Sequence, residues 1–230
     1  MLTQPAQALT DLLLGLVVVV LAIQLRRLPA NRRYWRAAFW WAGIGALGGF
    51  VHHGVLVRWP AVAAVSWAVL SLMVVLAVSY LLAATVDEVL GPNHARAFWV
   101  LRSVGIGAYV ILALNGHAGV TALLACESLT MACVLGLWGW AAYRRHPLAG
   151  PVLLAIAASA AAAGTRALSP SVTGYVHLDP TSTYHLAQIV GMVLLFRALQ
   201  DGLVDRPPAG QPLADDVGVP VGPGTADPLP

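Results

Sequence analysis

Gly48-Gly49-Phe50-Val51-His52-His53-Gly54 brings two adjacent imidazoles to the end of a long apolar segment, residues 35–57. Ionisable groups at membrane depth are rare and usually mark function. A second stretch, Tyr184-His185-Leu186-Ala187-Gln188, places another histidine at the start of the last apolar segment. If both segments span one membrane, the direction of each decides whether these histidines share a layer.

The composition puts them in a membrane. Of 230 residues, 59% are hydrophobic and 10% charged, against about 25% charged in a soluble domain, and the mean hydropathy is +0.76. All 13 basic residues are arginine, which excludes retinal or pyridoxal chemistry through a lysine Schiff base. The net charge of +3 comes from arginines at segment ends, where membrane topology accounts for them, and no nucleic-acid partner is expected. Cys126 and Cys133 lie in one apolar segment, about two helical turns or roughly 10 Å apart by rise, too far for a disulfide. They also lack the CxxC spacing of a metal or redox site.

Seven stretches are long enough to cross the hydrocarbon: residues 8–25, 35–57, 62–86, 98–114, 120–143, 148–168 and 183–199. The first is followed, not preceded, by Arg26-Arg27, the reverse of a secretory signal, and is expected to be retained. Arginine accumulates on the cytoplasmic side. Five arginines lie between residues 26 and 36, Arg96 and Arg102 follow the third stretch, and Arg144-Arg145 follow the fifth; the even-numbered connections are poorer. The expected fold is therefore all-α, an integral bundle of seven transmembrane helices with its N-terminus outside and its C-terminus cytoplasmic. Residues 1–200 form that domain. Residues 201–230, rich in Pro and Gly, are expected to be a disordered cytoplasmic tail. Small residues such as Gly43, Gly45, Gly48 and Gly49 permit close helix approach, and Trp35, Trp40, Trp41, Trp59, Trp138 and Trp140 stand at or near segment ends, as interfacial anchors do.

In that topology His52, His53 and His185 fall in the outer half of the bundle. Asp11, Glu127 and Arg166 share the layer, with His117 and His177 in outer loops. Imidazoles and carboxylates converging in a low-dielectric pocket suit a divalent transition metal, and zinc with three protein ligands lowers the pKa of bound water to about 7. The candidate metal ligands are His52, His53 and His185. Asp11 and Glu127 are the candidate catalytic groups, as general base or as partners that orient a ligand. Neighbours on a helix point about 100° apart, so only one of His52 and His53 can aim squarely at a shared centre. Bland alternatives stand beside these roles: Glu127 neutralised by Arg166, Asp11 capping with Thr10, and His185 and Gln188 hydrogen-bonded to a neighbouring helix.

Asp11 in the first helix, a histidine after the small-residue run of the second, and His185 opening the seventh make the chain resemble the alkaline ceramidase-like (CREST) superfamily over residues 8–200. The resemblance implies a bacterial inner-membrane protein that hydrolyses lipid amides. It also implies a zinc held by one histidine of helix two and an HxxxH pair of helix seven, with a serine four residues before the first ligand and an aspartate in helix three. His52 or His53 matches the first ligand and His185 one of the pair. Gly48 or Gly49 occupies the serine position, Ile189 and Thr181 flank His185 where its partner would stand, and helix three has no aspartate before Asp87. A third ligand must then come from Glu127, Asp11 or a loop histidine.

Three functions compete. One is a metal-dependent hydrolase acting on a lipid substrate within the bilayer. Another is a non-enzymatic receptor, binding or scaffold protein with the same fold. The last is a b-type haem protein, with His185 and one of His52 or His53 as axial ligands.

Overall fold

The computed structural model describes residues 2–27, 32–117, 119–167 and 178–204. Among the described residues there are seven α-helices: α1 Pro5–Gln24, α2 Arg33–Gly54, α3 Pro60–Val89, α4 Ala95–Leu114, α5 Val120–Tyr143, α6 Ala149–Gly164 and α7 Pro180–Val204. Their limits fall within a few residues of the seven apolar stretches. Proline opens α1, α3 and α7 at the first helical position, where its fixed φ suits the helix and its missing N–H has no intrahelical partner to lose. The expected tail, beyond Val204, lies outside the described residues.

Four spans are long and apolar enough to cross a membrane: Pro5–Gln24, Pro60–Val89, Ala125–Tyr143 and Pro180–Gly202. Arg102–Leu114 and Ala149–Gly164 are shorter apolar stretches. The hydropathy of α2 is diluted by its glycines and histidines. Burial tells the same story on α1, where Leu9, Leu13, Leu16, Val20 and Ile23 are each about half exposed. They recur every three to four residues and so form one outward-facing stripe. On a water-soluble helix that face would be polar; here it is apolar, as a lipid-facing surface is.

The helices close into a circuit. α1 packs between α2 and α7, α2 against α3, α3 against α5, α5 against α6, and α6 against α7, while α4 lies against α3 and α5. α1 and α2 approach closely because Gly15 faces Leu47 and Gly43 faces Val19; a Cβ on Gly15 would come within 2.7 Å of the leucine side chain.

The aromatic and arginine residues correct two expectations. Trp35 and Trp138 are not interfacial anchors: they are fully buried against each other, ring centroids 6.4 Å apart, and Trp138 Nε1 donates to Thr85 Oγ1 at 3.1 Å. Arg32, within the arginine-rich first connection, is also buried. It pairs with Glu88 at 2.8 Å and donates to the Leu199 carbonyl at 3.1 Å, tying the start of α2 to the ends of α3 and α7. All three residues exchange exposure for specific partners that hydropathy cannot reveal.

Candidate functional site

The site is assembled from three helix ends. Asp179 caps α7: its Oδ1 accepts the backbone N–H groups of Thr181 at 2.9 Å and Ser182 at 3.1 Å, and Ser182 Oγ donates to Oδ2 at 2.5 Å. A short acceptor at this position satisfies helix-start donors that have no other partner. Gln7 Nε2 reaches the same carboxylate at 3.2 Å, so α1 and α7 are held in register. Burial acts to raise the Asp179 pKa, but the bonds from Ser182, Gln7 and Thr181 outweigh it and hold the group below the usual carboxylate range. At the end of α2, the N–H groups of Thr3 and Gln4 donate to the carbonyls of Gly54 and His53 at 2.9 and 3.1 Å, closing carbonyls that the helix leaves free.

These contacts bring Asp11 of α1, His53 of α2 and His185 of α7 together. Asp11 Oδ1 lies 3.3 Å from His185 Nε2, and Oδ2 lies 3.8 Å from His53 Nε2. Asp11 and His185 are buried, at 5% and 7% exposure. Gly49 makes room for the carboxylate, since a Cβ there would stand 2.6 Å from Asp11 Oδ2.

The far nitrogen of each ring sets its tautomer. His53 Nδ1 is 2.7 Å from Gln4 Oε1, a carbonyl oxygen that only accepts, so Nδ1 carries the proton. His185 Nδ1 is 3.1 Å from Thr10 Oγ1, whose proton can also go to the Ala6 or Gln7 carbonyl; with the proton on either carbonyl, the ring donates here too. In that tautomer both neutral rings present an Nε2 lone pair to the carboxylate. Asp11 Oδ2 is buried with no hydrogen-bond partner among the described residues. Two lone pairs and an anion facing one another form a locus for positive charge.

The other expected members make different contacts. His52 turns about 100° away from His53: its Nδ1 is 2.7 Å from Ser66 Oγ of α3, and its ring packs 5.7 Å from Trp67. Glu127 on α5 lines a cavity with α3 and α4. Arg166 stacks over Tyr184 at 5.6 Å. Gln188 donates to Ser159 of α6 at 3.2 Å. His117 is exposed, and His177 lies outside the described residues. Sequence reasoning missed Gln4, Gln7 and Ser66 as partners; Gln4-Pro5 marks only a helix start.

A metal can be weighed against this geometry. Two ligands on a tetrahedral zinc with bonds of 2.0–2.1 Å lie about 3.4 Å apart, close to the Asp11–His185 spacing, with His53 somewhat wider. Among the described residues, no group of three or more His, Cys, Asp or Glu side chains is already gathered as a metal centre. The ligand types fit a metal, and the His53 side of the donor set is the wider one, at 3.8 Å.

Fold and site together define an all-helical protein with membrane-length apolar helices and an imidazole–carboxylate cluster buried at one end. The chain belongs to DUF6962, a family of unknown function whose match covers residues 6–204. No curated protein matches it, and no solved structure matches it.

Proposed function

We propose that the chain is an integral membrane protein of seven spans, N-terminus outside, whose outer-half cluster of Asp11, His53 and His185 holds a divalent transition metal, zinc by ligand chemistry. One observation carries this reading: the Nε2 atoms of His53 and His185 lie 3.8 and 3.3 Å from a buried carboxylate, and each ring is oriented by a hydrogen bond at Nδ1. Metal-bound histidines characteristically use their second nitrogen in this way. A divalent cation would satisfy both rings and both carboxylate oxygens together. Lipid amide hydrolysis, implied by the resemblance to the alkaline ceramidase-like superfamily, is the proposed activity, and a bacterial inner membrane the proposed location.

Bound by three protein ligands, zinc would supply Lewis-acid polarisation of a substrate carbonyl at an open fourth position. Thr10 and Gln4 would orient His185 and His53. The lipid-facing stripe of α1 supports a substrate that arrives from the bilayer. Cobalt(II) added to detergent-purified, metal-stripped protein tests the site. Visible d–d absorption that disappears in His185→Ala is expected; no bands in folded wild-type protein would overturn the proposal. Release of fatty acid from a lipid amide in mixed micelles, abolished by chelation, tests the activity separately.

A scaffold or receptor role has its own support. Each of the three imidazoles already joins two segments through Nδ1, His52 to Ser66, His53 to Gln4 and His185 to Thr10. The haem reading is the weakest, because the Asp11 carboxylate, packed against Gly49, lies between the two rings where a macrocycle would have to lie.

A further inference from the structure

We infer that Arg166 is a specificity-determining residue of the Asp11–His53–His185 site, selecting an amide lipid whose amine side carries an oxyanion, a carboxylate or a phosphate. The inference rests on the functional reading above and names the substrate class of that site.

Arg166 belongs to the one-turn helix Thr165–Ala167 that follows α6, and this turn packs against the start of α7. Its guanidinium stands over Tyr184, 5.6 Å from the ring centroid, and the Tyr184 ring lies 5.4 Å from that of His185. The cation and a proposed metal ligand thus flank the same aromatic side chain. The Arg166 charge is felt at both His185 and His53, so it is within electrostatic reach of both imidazoles.

Neither topology nor charge pairing accounts for this arginine. Arginine accumulates on the cytoplasmic side of a membrane, whereas Arg166 closes the sixth span on the outer side. No carboxylate among the described residues forms an ion pair with it, and residues 168–177, which follow it, contain no Asp or Glu. The acids of the outer half are engaged otherwise. Asp179 accepts from Thr181, Ser182 and Gln7, Asp11 faces the two histidines, and Glu127 lines a cavity with α3 and α4. Arg166 is exposed, and its aromatic neighbour steadies the cation without neutralising it.

A guanidinium offers a planar fork of N–H donors that matches a carboxylate or phosphate. An amide with an oxyanion on its nitrogen substituent brings its acyl carbonyl to the cluster and its anion to Arg166, with its chain in the bilayer. Hydrolysis breaks the acyl C–N bond: water gives its hydroxyl to the acyl carbon and a proton to the departing nitrogen, releasing a fatty acid and an anionic amine.

Native mass spectrometry of metal-stripped, full-length protein in detergent tests recognition apart from catalysis. The probes are N-dodecanoylglycine, N-dodecanoyl-phosphoethanolamine and the neutral N-dodecanoylethanolamine. Wild type is expected to hold one or both anionic amides about tenfold more tightly than the neutral one, and the favoured probe identifies the anion. Arg166→Gln is expected to abolish the preference, and Arg166→Lys, which keeps the charge without the fork, to retain part of it. Equal binding of all three probes by wild type would overturn the proposal, as would a preference that survives Arg166→Gln. Zinc-loaded protein that shows the preference yet releases no fatty acid would contradict the hydrolase reading and leave the anion selectivity of Arg166 standing.

Discussion

At the scale of single residues, the site depends on what Gly49 lacks. Gly49→Ala would place a methyl group 2.6 Å from Asp11 Oδ2, and neither helix backbone can yield freely where α1 and α2 pack so closely. Overpacking of this kind costs about 1–3 kcal/mol, so a lower unfolding temperature together with weakened metal binding is expected; wild-type values for both would show that the carboxylate is not held here. Thr10→Val removes the acceptor of His185 Nδ1–H while keeping the shape. A metal titration should show affinity about 10- to 100-fold lower with unchanged helicity. Which of His52 and His53 faces Asp11 was not legible in the sequence, because a 100° rotation excludes one of two neighbours without saying which. Gln4 decides it through the terminal strap, a contact between positions 49 residues apart.

At the scale of elements, Asp179 carries the largest local consequence. Asp179→Ala should destabilise the start of α7 by about 0.5–2 kcal/mol and loosen His185, read as a lower unfolding temperature. Its folded pKa is depressed by the bonds from Ser182, Gln7 and Thr181. Stability from a depressed carboxylate is fully present above the unfolded pKa of about 3.9, and is lost as pH falls through the lower folded value. Below about pH 4 the wild type should therefore lose stability more steeply than Asp179→Asn, which keeps acceptors but does not titrate; identical acid profiles would remove this contribution. The helices themselves were legible because hydropathy, proline at the first turn and arginine-rich connections all report local chemistry. The roles of Trp35 and Trp138 were not, since their burial comes from side chains of α2, α3 and α5 meeting in three dimensions, and a tryptophan near a segment end reads the same whether it faces lipid or core.

At the scale of the molecule, the order of the circuit explains why the expected constellation separated. α1, α2 and α7 are neighbours, so Asp11, His53 and His185 meet; α5 packs on α3, α4 and α6, and Glu127 lines a cavity with α3 and α4 instead. Shared depth was readable from alternating spans, but adjacency was not, because chain order does not specify that α3 packs against α5 as well as α4. The other end is held by the buried Arg32–Glu88 pair, and Arg32→Ala should cost about 3–5 kcal/mol by stranding Glu88, measurable in denaturant. Orientation is testable in whole cells. In a Cys126→Ser, Cys133→Ser background, a cysteine replacing His117 should react with a membrane-impermeant maleimide and one replacing Arg145 should not; the reverse pattern would invert the topology.

The central claim is that Asp11, His53 and His185 hold a metal, and elemental analysis of detergent-purified, folded protein tests it most directly. About one zinc or other divalent transition metal per chain, lost in both Asp11→Asn and His185→Ala, is the predicted result. Folded wild-type protein that stays metal-free after incubation with zinc would contradict it, and would leave the three histidines as hydrogen-bonded links between helices.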